Sequence, residues 1–136
     1  IFLLKISPEI LSTRIELINK NINLINKAVS NKSGKIKLYI NDVNTSCHSL
    51  IAENPNNQYV EIDSIKLDDF FEINQKIDFI KIDIEGAELL CLKGSIETIK
   101  KFKPVIIFEA GEHHCKKFGY SVSDIILFFK KINFLF

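Results

Sequence analysis

Acidic side chains follow two apolar segments of this chain, at the point where each segment ends. The apolar run 77–84 ends in Asp83, Glu85 and Gly86, and the run 105–108 ends in Glu109. Two buried strands joined by a helical crossover form a parallel pair. Ligands of such sheets lie outside the carboxyl ends of the strands. The sequence therefore predicts a polar site at one edge of the sheet, with carboxylates that can accept a proton or stabilise a cation.

Each of these carboxylates also has a purely structural interpretation. Asp83 can serve as the N-cap of a helix that begins near Gly86, a role compatible with one at the site. Glu85 and Glu88 can stabilise the N-terminus of the same helix by their negative charge, which is the favoured role for Glu88. Glu109 can be a solvated carboxylate at the end of a strand. Asp83 and Glu85 remain the catalytic candidates, and Glu109 remains a candidate on the substrate side.

Histidine supplies the other candidate proton acceptors. His48 lies in the polar loop segment 45–49 and is a candidate general base, although a loop histidine can also be merely exposed. His113 and His114 stand beside Cys115, but adjacent histidines point in different directions and no second ligand cluster is evident. We therefore predict no metal site. One of the two histidines can still lie on the substrate side, and we take His113 as that candidate.

Composition and charge limit the classes of protein to which the chain can belong. Its 136 residues are enough for one domain with a hydrophobic core. A net charge of +1 provides no strong field for nucleic acid, and no apolar stretch is long enough to span a membrane. Three cysteines without metal-type spacing favour free thiols in a reducing compartment. These features predict a cytoplasmic protein that binds neither nucleic acid nor membrane.

The order of the predicted elements is typical of an open α/β sheet with helices on both faces. Turn residues occur at 31–34 and 54–57, a loop is expected at 111–119, and Gly94-Ser95 and Pro104 divide the crossover after residue 84. Ser121 or Ser123 is expected to cap the last helix. The predicted strands are 1–6, 21–29, 35–40, 59–65, 77–84, 105–108 and 133–136, and predicted helices include 8–19, 67–72 and a last helix that ends at Lys131.

The motif KIDIEGAE at residues 81–88 resembles that of the FkbM-type methyltransferases. LKG at 92–94 and KPVIIFE at 103–109 follow at the spacing of that family. Residues 7–9 resemble the proline-bearing turn after its second strand, and residues 26–30, with Gly34-Lys35 after them, resemble its third strand and hairpin. The resemblance covers nearly the whole chain. It implies a Rossmann-like class I methyltransferase sheet, mostly parallel, with S-adenosyl-L-methionine as cofactor. It also implies O-methylation of a hydroxyl on a sugar or another small-molecule or glycan acceptor.

The same resemblance assigns further residues and shows two departures. It implies that Asp83 faces the methionine part of the cofactor or the substrate, and that Ala28 and Val29 border the adenine unless they only pack the strand. The glycine-rich cofactor loop of the family would lie before Ile1, and Lys5 stands where a ribose-binding acid is common. We therefore expect residues 1–136 to be a single, partial domain, truncated at the N-terminus and also at the C-terminus.

Two functions remain open at this point. The chain is either part of an active methyltransferase or a degenerate, non-catalytic α/β domain that serves as a binding element, a scaffold or a remnant. A truncated sheet would expose an edge and apolar surface, so a homodimer is an expected form of the isolated chain.

Overall fold

The computed structural model describes residues 2–3, 25–40, 49–52, 54–70 and 76–134. The predictions for Lys5, His48 and the helix at 8–19 lie outside these residues. The strands of the described part are β1 (Phe2–Leu3), β2 (Ala28–Val29), β3 (Gly34–Tyr39), β4 (Tyr59–Ile65), β5 (Phe79–Ile82) and β6 (Val105–Phe108). Its helices are α1 (Leu67–Phe70), α2 (Glu88–Lys93), α3 (Ile96–Phe102), α4 (Glu112–Lys117) and α5 (Val122–Lys131).

The described strands form two sheets of three strands each. In the first, the order is β1-β5-β6 and both pairs are parallel, with Ile82 opposite Phe108. In the second, the order is β2-β4-β3, and β4 pairs in parallel with β2 but antiparallel with β3. The α/β class is thus confirmed, whereas a single, mostly parallel Rossmann-like sheet with helices on both faces remains a prediction.

The crossover between β5 and β6 has the division that its glycine and proline predict. Gly94 ends α2 and Ser95 precedes α3, although the Ser95 hydroxyl donates to the carbonyl of Cys91 instead of capping α3. Lys103 adopts a left-handed conformation after α3, and β6 begins directly after Pro104. Because a strand cannot follow a helix without such a break, these residues fix where β6 begins and hence where it ends.

The core of the described part lies where the crossover helices and α5 pack against the parallel sheet. Residues of β5, α2, α3, α4 and α5 contribute side chains to one buried cluster. Helix α5 begins with a capping box between Ser121 and Asp124, so the predicted cap is confirmed at Ser121. The side chains that are less than 2% exposed include Ile80, Ile82, Leu92, Ile99, Ile125 and Phe129.

Two predicted segments differ from the structure. The predicted loop at 111–119 is wrong, because residues 112–117 form α4, which buries Cys115 completely. One and a half turns are too short to show a helical period in the sequence. The strand predicted from Asn133 is also wrong at its start: Asn133 has φ +56° and Phe134 N–H donates to the carbonyl of Phe129. This hydrogen bond and the left-handed Asn133 belong to a Schellman motif that ends α5.

Candidate functional site

The carboxyl ends of β5 and β6 bring two predicted site residues to the same edge of the parallel sheet. Glu109 N–H donates to the carbonyl of Ile82 at 3.1 Å, and Asp83 is the next residue after Ile82. Glu109 is exposed and Asp83 is partly exposed. The structure therefore places both carboxylates where the order of the strands predicts them, at an edge that a ligand can reach.

Asp83, the first residue after β5, is paired with Lys81, which lies two residues before it on the strand. The Lys81 ammonium donates to Asp83 Oδ2 at 3.1 Å, and about a third (34%) of the Asp83 side chain is exposed. The N-cap of α2 is Ala87, and α2 has no side-chain cap, so the N-cap interpretation of Asp83 is wrong. The carboxylate is thus available to a ligand, provided that the ligand competes with one flexible amine.

The acidic turn, residues 83–88, has an unusual backbone conformation. Glu85 has φ +55° and Gly86 has φ +105°. A Cβ atom at Gly86 would lie 2.7 Å from the carbonyl oxygen of His114 and 2.9 Å from the ring of Phe118. Only glycine fits this contact between the turn and α4. A left-handed Glu85 costs about 1–3 kcal/mol, so other contacts must hold it there.

Glu88 and Tyr120 supply those contacts. Glu88 is only 1% exposed, and its Oε1 accepts hydrogen bonds from the N–H groups of Gly86 and Ile84 at 3.1 and 3.3 Å. The Tyr120 hydroxyl donates to the carbonyl of Gly86 at 2.6 Å and lies 3.3 Å from Glu88 Oε2. Burial, aided by the Glu88 charge, raises the pKa of Tyr120 and keeps the hydroxyl protonated. Glu88 therefore binds the acidic turn, rather than merely complementing the helix dipole.

Glu85 contacts a histidine that the sequence did not single out. His114 Nδ1 lies 3.1 Å from Glu85 Oε2, with 37% and 28% of the two side chains exposed. The ring of His113 lies 5.4 Å from that of His114, but His113 lines a shallow groove with Ile51, Ala52 and Lys117. Successive residues of a helix point about 100° apart, so only one of the two histidines can face the turn.

Residues 4–136 match the family model of the methyltransferase FkbM domain. The chain belongs to the FkbM methyltransferase family. The matched range includes the acidic turn, Glu109 and α4, and membership indicates a methyltransferase. No curated protein and no solved structure matches the chain.

Ala28 and Val29, the predicted adenine contacts of this FkbM domain, do not belong to the sheet that carries the acidic turn. Ala28 and Val29 form β2 of the second sheet, and the carbonyl of the next residue, Ser30, lies against Gly94. The acidic turn leads into the start of α2, and Gly94 follows its end. The six residues of α2 span about 9 Å. The structure thus places Ala28 and Val29 and the acidic turn at opposite ends of α2, and their adenine contact remains a prediction.

The described part of the chain has neither a cluster that could hold a metal ion nor a helix that could cross a membrane. Among residues 2–3, 25–40, 49–52, 54–70 and 76–134, no three His, Cys, Asp or Glu side chains are placed to hold a metal ion together. No helix in that same part combines the length and the apolar character that crossing a membrane requires.

Proposed function

We propose that this FkbM domain transfers a methyl group from S-adenosyl-L-methionine to a hydroxyl of a sugar or another small-molecule or glycan acceptor. The observation that carries the proposal is the position of Asp83 and Glu109 at the shared edge of β5 and β6, with the acidic turn beside them. Family membership supplies the reaction class. The proposal includes a Rossmann-like sheet for the whole domain. It also includes a cytoplasmic location, which the free, buried thiols of Cys91 and Cys115 favour.

The residues at the edge fit the proposed cofactor in charge. When bound, S-adenosyl-L-methionine supplies an electrophilic methyl group on a cationic sulfur. Asp83 is partly exposed, and its partner is an ammonium group that the amino group of a ligand can replace. We assign Asp83 to binding the ammonium group of the cofactor's methionine part, because a carboxylate can accept charge-assisted hydrogen bonds from an ammonium. Exposed Glu109 is assigned to the acceptor side of the same edge.

Calorimetric titration of S-adenosylhomocysteine into the protein at its natural length tests this assignment. We expect Asp83→Asn to weaken binding at least tenfold, because a charge-assisted hydrogen bond contributes roughly 1.5–3 kcal/mol. Asp78→Asn is the matched control. Asp78 precedes β5 at the opposite end of the strand, its side chain is 72% exposed, and its ion pair is with Lys76. Binding by this control should stay within twofold of the wild-type value.

The alternative is a non-catalytic α/β binding or scaffold domain, and Lys5 is the observation that favours it. A lysine cannot accept hydrogen bonds from ribose hydroxyls. The same titration separates the two functions. If the wild-type protein does not bind S-adenosylhomocysteine, the methyltransferase proposal fails and the non-catalytic alternative gains support.

A further inference from the structure

Glu85 and His114 form a carboxylate–imidazole pair beside the proposed cofactor site. Glu85 belongs to the acidic turn after β5, and His114 belongs to α4 after β6, so the pair joins the ends of two adjacent strands. Glu85 Oε2 lies 3.1 Å from His114 Nδ1, so the carboxylate can accept a hydrogen bond from that nitrogen when it carries a proton. Both side chains remain partly exposed, so the imidazole is within reach of a ligand.

The backbone around this pair is held from several directions. Glu88 binds the N–H groups on either side of Glu85, and Tyr120 binds the carbonyl of Gly86. Gly86 lies so close to the carbonyl of His114 that a side chain would not fit between them. Tyr120 N–H also donates to the carbonyl of Cys115, which follows His114 in α4. The same few contacts therefore position both the carboxylate and the imidazole.

We infer that His114 is the general base of the methyl transfer and that Glu85 is the residue that positions it. The inference rests on the function proposed above. A carboxylate at Nδ1 keeps the proton of the neutral imidazole on that nitrogen and leaves the lone pair on Nε2. Glu85 then also stabilises the imidazolium that forms when Nε2 takes a proton.

The proton balance of the step is simple. The proton of the acceptor hydroxyl moves to His114 Nε2, and the electron pair of the O–H bond stays on the oxygen. That oxygen forms the new O–C bond to the methyl group as the C–S bond breaks, and the electron pair of the C–S bond stays on sulfur. His114 later returns its proton to solvent. Two titratable groups lie against His114: Glu85 of the turn, 3.1 Å from Nδ1, and His113 of its own helix, with ring centroids 5.4 Å apart.

Nitrogen-15 NMR of the histidine rings tests the positioning role without any substrate. At a pH where the imidazole is neutral, we expect the proton of His114 on Nδ1. Glu85→Gly should shift it to Nε2, and glycine suits a backbone φ of +55°. Lys116→Gln, an exposed change on the same helix, should leave the tautomer unaltered. The inference is overturned if the neutral ring of wild-type His114 carries its proton on Nε2, or if Glu85→Gly leaves the tautomer unchanged.

Turnover with a mixture of methyl glycosides as acceptor probes tests the catalytic role. We expect His114→Gln to lower kcat at least 100-fold, since general-base catalysis contributes roughly 10²–10⁴-fold. Affinity for S-adenosylhomocysteine should stay within twofold, and the rise of the rate on deprotonation of a histidine should disappear. Lys116→Gln should keep the wild-type rate. If His114→Gln retains wild-type turnover and cofactor affinity, the base assignment fails while the methyltransferase proposal survives. If the wild-type protein does not bind S-adenosylhomocysteine, the methyltransferase proposal fails, and the base assignment fails with it.

Discussion

At the residue scale, the acidic turn depends on one buried carboxylate, that of Glu88, and one partly buried hydroxyl, that of Tyr120. An ionised carboxylate in an apolar environment is costly unless it is hydrogen-bonded, and Glu88 meets this condition by accepting backbone N–H groups of the turn. Tyr120 completes the arrangement from the segment between α4 and α5, with its hydroxyl also accepting from Leu89 N–H. The strained Glu85 is therefore held by backbone contacts of its neighbours with Glu88 and Tyr120.

Tyr120→Phe is expected to lower the free energy of unfolding by roughly 1–3 kcal/mol at pH 7, because the carbonyl of the buried Gly86 loses its hydrogen-bond donor. The wild-type protein should also lose stability as the pH rises above 10, the ordinary pKa of tyrosine. Burial raises the pKa of Tyr120 in the folded state, so the unfolded chain releases this proton first. Tyr120→Phe should remove that part of the pH dependence.

Urea denaturation at several pH values between 7 and 11 provides the measurement. Tyr39→Phe is the matched control, because Tyr39 lies on β3 and makes an edge-to-face ring contact with Tyr59. Its effect should be within about 0.5 kcal/mol, as for most surface changes. Equal losses from the two substitutions at pH 7 would contradict the role of the Tyr120 hydroxyl.

The sequence predicted the location of some site residues but not the pairing among them. Asp83 and Glu109 were predictable, because strand ends can be read from apolar runs and parallel strands share an edge. His114 and Tyr120 were not, because their contacts depend on α4, whose six residues show no helical period. Glu88 was visible as a first-turn acid, but its burial follows from packing that the local sequence does not contain.

At the element scale, the fold depends on a close contact between Gly94, in the crossover after β5, and Ser30, the residue after β2. Gly94 sits between α2 and α3, and a Cβ atom there would lie 2.1 Å from the carbonyl oxygen of Ser30, just after β2. The backbone of Gly94, with φ −85°, is one that any residue can adopt. Glycine is therefore required at this position by space and not by conformation.

Gly94→Ala should destabilise the protein by roughly 1–3 kcal/mol, the usual cost of inserting a methyl group where backbone atoms must move. Gly111→Ala is the matched control: its φ is also negative, and its Cβ would come no closer than 3.4 Å to a His114 ring carbon. Thermal unfolding of both variants measures the difference. If Gly94→Ala unfolds at the wild-type temperature, the contact between Ser30 and Gly94 is not as close as the structure shows.

The elements themselves were predicted with uneven success, for physical reasons. The strands at 59–65 and 105–108 were predicted with their observed bounds, and β3 within one residue, because alternating or continuous apolar residues lie between strong turn signals. The strand predicted at 21–29 is observed only at Ala28–Val29 within the described residues. Among the described strands, none pairs with residues 25–27, and a strand depends on its pairing as well as on its propensity.

At the scale of the whole molecule, β6 presents an apolar face to solvent. Ile106 and Phe108 pack against the core, whereas Val105 and Ile107 are 62% and 53% exposed. Among the described strands, β6 also lies at the edge of its sheet. An edge strand with exposed apolar side chains is a template for pairing with another chain. Every solution of the protein contains further copies of the same edge strand, so the homodimer remains a prediction.

The fraction of dimer should therefore rise with protein concentration, and Ile107→Lys should abolish it because a charged edge residue opposes pairing. Sedimentation velocity over a range of concentrations measures both effects. Leu127→Lys is the matched control, since Leu127 is 58% exposed but lies on α5. Because both substituted side chains are already exposed, neither change should unfold the protein. A wild-type protein that stays monomeric at every concentration, or a dimer equally weakened by Leu127→Lys, would remove β6 as the interface.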